Sequence, residues 1–180
     1  RGPDLSGTLD GAGGIGGILA QATGTNTVYL HPDVSGNIAF ASDASGALVG
    51  TNRYTPFGSL ITRIGAFEGR YMFSSKEWEP SVGLYYYGCR FYSPSLGRWL
   101  SRDPLGEHAD PLHNLYRFVG NNPLNAVDID GLREMSIGPA PLSTGYPFYN
   151  GPVLRAPDNS ARGLAVQNLT LGSNLDPSSP

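Results

Sequence analysis

Few side chains in this sequence combine nucleophilic or metal-binding chemistry with a useful spacing. The 180 residues include one cysteine, Cys89, and one lysine, Lys76, which disfavours a lysine nucleophile. A single cysteine excludes an intrachain disulfide and a cysteine-rich zinc site, and we expect Cys89 to be a buried small hydrophobic residue. His108 and His113 are close in sequence, but His31 is remote and no third ligand accompanies them. We therefore expect structural or exposed roles for the histidines.

Two catalytic or binding motifs are missing or lack their structural context. No Gly-x-Ser-x-Gly elbow supports a serine nucleophile. Gly11, Gly13 and Gly16 satisfy Gly-x-Gly-x-x-Gly, but no apolar strand precedes them, as a dinucleotide site requires. We therefore predict a glycine-rich linker over residues 1–24, in which a helix near residues 15–21 would be the one local element.

The aspartates have ordinary structural explanations when residue type alone is considered. Asp103 precedes Pro104, a pattern typical of a capped helix start. Asp128 and Asp130 lie just before Gly131, as turn aspartates commonly do. Residue type alone therefore predicts caps and turns at these positions, not catalysis.

Regular turn signals divide residues 25–60 into short strands. Residues 33–36 (DVSG) recur as residues 43–46 (DASG), ten residues later, and residues 54–58 (YTPFG) form the next turn signal. In such turns Asp bonds to its own backbone and Gly supplies a positive φ. Strand-length runs at 37–41 and 47–54 lie between the turns. This spacing predicts an antiparallel meander, which needs stacked neighbours to bury its faces.

An aromatic run follows, at residues 83–104 (GLYYYGCRFYSPSLGRWLSRDP). Aromatic residues favour strands, whereas glycine and proline mark turns, so we predict further strands over residues 61–75 and 83–92. A short helical turn is predicted at 115–120. Clustered tyrosines between turns usually form a core, although exposed rings could also bind sugars.

Composition restricts the classes of function. The net charge is −3 and the pI is about 5.5, so the chain has no basic footprint for nucleic acid. No apolar stretch is long enough for a transmembrane helix. Residues 133–180 are rich in proline and have no sustained periodicity, so we predict a disordered tail. Because the chain begins with Arg1, we interpret it as part of a longer protein.

Over residues 54–132 the sequence resembles the C-terminal core signature of the Rhs/YD-repeat family, with weaker similarity back to residue 25. The matching segments occur in the family's order: residues 54–58 (YTPFG), 67–69 (FEG), 83–92 (GLYYYGCRFY), 95–104 (SLGRWLSRDP), 114–116 (NLY), 121–123 (NNP) and 128–132 (DIDGL). One position departs from the pattern, since Ile129 stands where the family usually has proline.

The resemblance implies a mainly all-β fold with short helical turns, forming the terminal part of a spiral β-shell. It divides the chain into a linker (1–24), YD-type β-repeats (25–60), an RHS repeat-associated core (61–132) and a variable C-terminal tail (133–180). In this family such shells enclose a variable C-terminal segment, often a toxin. The implied partners are therefore the rest of the shell and that segment, with a secreted or cell-surface location.

The resemblance also implies a chemistry, that of an aspartyl protease acting on its own chain. Carried over by position, the catalytic residues are Asp103 and Asp128 with supporting Arg90, and the cut falls between Leu132 and Arg133. One carboxyl would keep its proton while the other activates water. No metal or cofactor is implied.

Two other functions remain open from the sequence. One is a catalytically silent structural or cell-surface adhesion remnant of an Rhs protein, which would share the fold and every aromatic residue. The other is a carbohydrate-binding module that uses exposed tyrosine and tryptophan rings. Cleavage after Leu132 would separate the first alternative from the self-processing hypothesis, and burial of Tyr85, Tyr87 and Trp99 would count against the second.

Overall fold

The structure is a computed structural model that describes residues 1–106 and 114–137. A five-stranded antiparallel sheet is formed by consecutive strands, in the order β1 (Ala20–Thr23), β2 (Asn26–Pro32), β3 (Ile38–Ser42), β4 (Leu48–Tyr54) and β5 (Leu60–Gly65). Each strand pairs with the next along the chain, so this part of the molecule is the antiparallel meander that the turn spacing predicts.

The predicted turns of the meander form as their residue types require. Asp33 accepts hydrogen bonds from the backbone N–H groups of Ser35 and Asn37, at 2.9 Å each. Asp43 repeats this arrangement one hairpin later, with Ser45 and Ala47. Local hydrogen bonds of this kind fix the turn from sequence alone. The ten-residue repeat is therefore a repeat of hairpin turns.

The aromatic run builds a second antiparallel sheet, from β6 (Glu77–Glu79), β7 (Leu84–Tyr86), β8 (Phe91–Ser93) and β9 (Arg98–Trp99). The register places four rings in one row across the strands: Trp78, Tyr85, Tyr92 and Trp99. Tyr85, Tyr92 and Trp99 are buried, whereas the neighbouring pair on the other face, Tyr86 and Phe91, is exposed. This alternation follows the two-residue period of a strand and explains why half of the rings form the core.

The remaining core residues come from outside the two sheets. Met72 and Phe73 precede β6, and Phe118 stacks on Tyr92 with 4.1 Å between ring centroids. The short 3-10 turns Phe73–Ser75 and Val119–Asn121 carry the chain around this cluster. A two-stranded hairpin, β10 (Ala126–Asp128) and β11 (Glu134–Ser136), ends the described chain.

Several local expectations differ from the structure. No helix forms near residues 15–21, because positive φ angles at Gly13, Gly14 and Gly16 turn the chain and residues 20–23 are β1. The strand predicted over residues 61–75 ends at Gly65. The helical turn expected at 115–120 is shifted to Val119–Asn121.

Parts of the predicted N-terminal linker and C-terminal tail are ordered in the structure. Residues 1–19, predicted as linker, form successive turns in which Ala12 and Ile15 are fully buried. Residues 134–136, which the sequence assigns to the tail, form β11. The rest of the predicted tail, from residue 138, and the histidines His108 and His113 lie outside the described residues.

Candidate functional site

Arg90 lies at the end of the turn between β7 and β8, and its side chain is buried, with 3% of its surface exposed. One ring of the aromatic row contacts this side chain: the guanidinium carbon of Arg90 lies 4.2 Å from the centroid of the Trp99 ring. A cation over an aromatic face is stabilised electrostatically and more so away from water. The second sheet therefore holds a buried positive charge next to its core.

The structure brings the three predicted catalytic residues together around that charge. Nη2 of Arg90 lies 2.9 Å from Oδ2 of Asp103 and 3.9 Å from Oδ2 of Asp128. Nε of Arg90 donates a hydrogen bond to the carbonyl oxygen of Gly131. One guanidinium thus contacts both carboxylates and the backbone of the segment predicted to be cut.

Asp103 follows β9 and is fixed by its neighbours in the fold. Its N–H donates to the carbonyl oxygen of Leu115 at 2.9 Å, and its Oδ1 accepts a hydrogen bond from the N–H of Leu105 at 2.8 Å. The latter contact joins residues two apart, a local turn bond that aspartate commonly makes. Its other oxygen, Oδ2, is the one that pairs with Arg90, so Asp103 has a turn role and an ion-pair role at once.

Asp128 is the last residue of β10, and 5% of its side-chain surface is exposed. Oδ1 accepts hydrogen bonds from the N–H groups of Asp130 and Gly131, whereas Oδ2 faces Arg90. Burial raises the pKa of the Asp128 carboxyl to about 7, although the Gly131 N–H and Arg90 favour the charged form. This carboxyl can therefore carry a proton near neutral pH.

Residues 129–133 form the turn between β10 and β11, and the predicted scissile bond lies within it. The N–H of Ile129 donates to the carbonyl oxygen of Arg133 at 2.7 Å, which closes the turn. Asp130, for which residue type predicts a turn role, accepts hydrogen bonds from the N–H of Leu132 and from the guanidinium of Arg133. Its carboxylate therefore contacts the residues on both sides of the Leu132–Arg133 bond.

Gly131 permits a close approach between this turn and the aromatic sheet. Its φ is +86°, and a Cβ at this position would lie 3.0 Å from the backbone nitrogen of Arg90 and 3.3 Å from Cβ of Tyr87. The N–H of Cys89 also donates to the carbonyl oxygen of Asp130 at 2.9 Å. A side chain here would adopt a strained backbone conformation and crowd Arg90 and Tyr87, so glycine is favoured and the turn packs directly on the β7–β8 connection.

Lys76 is a residue of the site that the sequence reasoning missed. Its Nζ lies 2.6 Å from the carbonyl oxygen of Ile129 and 3.3 Å from that of Gly13. The side chain is buried and lies over the ring of Tyr87, 5.3 Å from the centroid. The signal available in the sequence was that this is the one lysine of the chain, placed just before the aromatic run.

Cys89 is exposed, which corrects the expectation that it is a buried hydrophobic residue. It lies in the turn between β7 and β8, where its backbone bonds to Asp130 and its side chain is left outside the core. The aromatic composition of the surrounding run does not reveal this, because burial in a hairpin turn depends on which way each residue points.

The alternative sites considered from sequence receive no support from the described residues. Tyr85, Tyr87 and Trp99 are buried, so they cannot stack on a sugar, which counts against carbohydrate binding through these rings. Within residues 1–106 and 114–137 there is no group of three or more potential metal ligands. No helix in that part of the chain has the length and apolar character that crossing a membrane requires.

Comparison with known proteins identifies relatives among bacterial toxins. No family model matches the chain. It is 39% identical over 109 residues, 58% of this chain, to toxin subunit YenC1 of Yersinia entomophaga. It is 32% identical over 128 residues, 68% of this chain, to the tRNA nuclease WapA of Bacillus subtilis. The chain spans only 11% of the length of YenC1 and 5% of that of WapA.

Comparison with solved structures also finds toxin subunits. A crystal structure of TcdB2–TccC3 without its hypervariable C-terminal region matches 62% of this chain and 5% of that one, with a TM-score of 0.55 and 37% identity. The relatives are Tc toxin subunits and WapA, components of Rhs-type toxins, and this chain matches a small part of each of these larger proteins. These relatives support an Rhs-associated structural role for this chain.

Proposed function

We propose that residues 25–132 form an RHS repeat-associated core that caps a larger β-shell, encloses a C-terminal segment and cuts its own chain after Leu132. The implied partners are the rest of that shell and the segment that begins at Arg133. The relatives support a place within a larger protein, because the chain matches only a small part of each of them. The hypervariable C-terminal region named for TcdB2–TccC3 is the analogue of the segment after the cut.

The first sheet supports a role as one part of a continuous shell. Its terminal strands, β1 and β5, each have one paired neighbour among the described strands. On β5, Leu60, Ile61 and Ile64 are exposed. An open antiparallel edge is a template for another strand, and exposed apolar side chains beside it gain from being covered.

The observation that carries the catalytic proposal is that Arg90 contacts Asp103, Asp128 and the Gly131 carbonyl oxygen at once. The guanidinium pairs more closely with Asp103, at 2.9 Å, than with Asp128, at 3.9 Å. Asp128 is also the more buried carboxyl. A pair of acid–base carboxyls needs one charged and one protonated member. The shorter ion pair favours Asp103 as the charged base, and the deeper burial favours Asp128 as the protonated acid.

The proposed reaction is hydrolysis of the peptide bond between Leu132 and Arg133. The Asp103 carboxylate takes a proton from water as the water oxygen adds to the carbonyl carbon of Leu132. The Asp128 carboxyl donates a hydrogen bond to the carbonyl oxygen, which becomes negatively charged in the intermediate. Asp103 then passes the proton that it took from water to the nitrogen of Arg133, the carbon–nitrogen bond breaks, the Leu132 carboxyl group forms and the Arg133 amine leaves.

The test is the intact mass of the purified 180-residue chain, measured beside an Asp103→Asn variant. We expect the wild type to yield fragments 1–132 and 133–180 and the variant to remain whole. Asp43→Asn is a matched control, since Asp43 makes its hydrogen bonds within the β3–β4 hairpin turn of the first sheet, and this variant should be cut normally. An uncut wild-type chain, or a cut that persists in Asp103→Asn, would overturn the catalytic proposal.

A silent structural core is the second candidate, and specific contacts favour it. Asp103 caps the Leu105 N–H, and Asp128 accepts two N–H groups of the 129–133 turn, so both aspartates have structural work without catalysis. Ile129 also lacks the fixed φ that proline would give beside Asp128. An intact wild-type chain in the same mass measurement would support this candidate.

A further inference from the structure

The 129–133 turn is held from a second side by the N-terminal loop, a contact that the proposed chemistry does not use. Gly13 packs on the turn so closely that a Cβ there would lie 2.4 Å from the carbonyl oxygen of Ile129. Gly16 and Ser75 tie the same loop to the turn before β6, since the Gly16 N–H donates to Oγ of Ser75 at 2.9 Å. The glycine-rich segment is thus packed against the site.

Lys76 joins the loop and the turn. Its Nζ lies within hydrogen-bond distance of a carbonyl oxygen from each: 2.6 Å from Ile129 and 3.3 Å from Gly13. These partners are 53 and 63 residues away in sequence, so the lysine bridges segments that have no local reason to meet. A buried ammonium that lacked these acceptors would be costly, so the contacts are mutually dependent.

The carbonyl oxygens along the turn are held by successive donors. Lys76 donates to Ile129, the backbone N–H of Cys89 to Asp130, and Nε of Arg90 to Gly131. Three consecutive carbonyl groups are therefore fixed immediately before Leu132. The carbonyl group of Leu132 must be oriented within a narrow range toward the carboxyls of Asp103 and Asp128 to react. Fixing the three preceding carbonyl groups restricts that orientation.

We propose that Lys76 is a positioning residue that holds the 129–133 turn against Arg90, Asp103 and Asp128 by bridging the carbonyl oxygens of Ile129 and Gly13. The effect of this contact on cleavage rests on the proposed function, because the turn is held in place for a reaction that the proposed function supplies. In a chain whose Ile129 lacks the restricted φ of proline, the lysine supplies a restraint that the residue type does not.

The charge state of Lys76 agrees with this role at neutral pH. Burial lowers the pKa of its amine to about 8, and the carboxylates of Asp128 and Asp130 oppose that shift. Arg1 and Asp10 also act on it, in opposite directions. The ammonium form, the stronger hydrogen-bond donor, is therefore the major one at pH 7.

The test measures amide hydrogen exchange of residues 129–133 at pH 7 in chains that carry Asp103→Asn, which keeps them whole. We expect Lys76→Met to speed exchange of these amides by about tenfold or more, with strand amides of β7 and β8 unchanged. Lys76→Arg should restore protection to within about threefold, since its guanidinium can donate to both carbonyl groups. Arg70→Met, which removes an exposed cation near β6, is the control and should change nothing at the turn.

Each result decides the proposal. Loss of protection confined to the turn and restored by Lys76→Arg supports it, and cleavage of the otherwise wild-type chain should then slow about tenfold or more in Lys76→Met. Unchanged exchange, or exchange that rises equally in β7 and β8, overturns it. Should Lys76→Met fail to fold, Lys76→Gln takes its place, because its shorter amide cannot span both carbonyl groups. If the wild-type chain is never cut, the catalytic proposal fails while the exchange data still decide the role of Lys76.

Discussion

The guanidinium carbon of Arg90 lies 4.2 Å from the centroid of the Trp99 ring, in a position where both side chains are buried. The aromatic core and the charged cluster are therefore one unit. Any change that removes the cation leaves the largely buried carboxyls of Asp103 and Asp128 without their shared partner, and any change that removes the ring takes away a contact that stabilises the cation.

Replacing Arg90 with methionine should be costly to the fold. The variant leaves two largely buried carboxyls without their cation, for which we expect a loss of about 3–5 kcal/mol in the free energy of unfolding. Urea denaturation measures the loss. Arg98→Met is the control, because Arg98 is exposed and lies over Tyr116, and it should cost less than about 1 kcal/mol. Equal losses in the two variants would show that Arg90 is not the electrostatic centre of the fold.

A matched pair of glycines separates backbone strain from crowding. Gly131 and Gly46 both have φ +86°, but a Cβ on Gly46 meets nothing within 4 Å, whereas one on Gly131 meets Arg90 and Tyr87. Gly46→Ala should cost about 1–2 kcal/mol from the left-handed backbone alone. Gly131→Ala should cost about 1–3 kcal/mol more, since rigid backbone must move. Thermal or urea unfolding of both variants tests this, and equal costs would contradict the close seating of the turn.

The buried carboxyl of Asp128 should make stability depend on pH. Its pKa is raised from 3.8 to about 7 in the fold, so the folded chain binds an extra proton between these values. The stabilisation is fully present below about pH 4 and is lost as the pH rises to about 7, by up to about 4 kcal/mol. Relative to the wild type, Asp128→Asn should therefore gain stability across this range.

Urea denaturation from about pH 4 to about pH 8 measures this difference, with the uncut fraction checked by mass spectrometry at each pH. Other titrating groups affect both chains and cancel in the comparison. A difference between wild type and Asp128→Asn that stays constant with pH would show that Asp128 is charged throughout.

Cleavage itself should follow the protonation of the same carboxyl. In the proposed reaction Asp128 must be protonated, so the rate constant should fall by about tenfold per pH unit well above pH 7. The rate of appearance of fragment 133–180 gives this profile. A rate that rises steadily with pH would instead indicate attack by hydroxide without a carboxylic acid.

Cys89 offers a simple check of the β7–β8 turn. Because its side chain is exposed, an aromatic disulfide reagent should label one thiol per native chain without unfolding. Partial burial and the neighbouring Asp130 raise the pKa of the thiol, so labelling of the native chain should be slower than labelling of the chain unfolded in urea. The difference between these two labelling rates should decrease as the pH increases. Labelling that requires urea would restore the expectation of a buried cysteine.

The sequence predicts local features well and distant contacts poorly. The Asp33 and Asp43 turns are predictable because every hydrogen bond that forms them lies within four residues. The all-β fold follows from those turns and from the aromatic strands. By contrast, residue type alone makes Asp103 a cap and Asp128 a turn residue, and only the family resemblance places them beside Arg90.

Contacts that depend on the tertiary fold were not predictable from spacing. Lys76 reaches Ile129 and Gly13 across more than fifty residues, and nothing near Lys76 in the sequence points to either. The prediction that Cys89 is buried is wrong because Cys89 lies in a hairpin turn, where the inside–outside alternation of a strand does not hold. In each case the decisive information is which segments pack together, and a one-dimensional pattern does not contain it.

The β10–β11 hairpin makes scission of the chain and release of the cut segment two separate events. Ala126, Val127 and Asp128 pair with Ser136, Met135 and Glu134, so strands on both sides of the proposed cut are hydrogen-bonded to each other. Breaking the covalent bond in the connecting turn would leave these hydrogen bonds in place between two separate chains. A two-stranded ladder is weak by itself, so it would slow dissociation of the C-terminal segment without preventing it. Scission and dissociation would then have separate rates, and the cut segment would remain bound to the shell until the two strands separate.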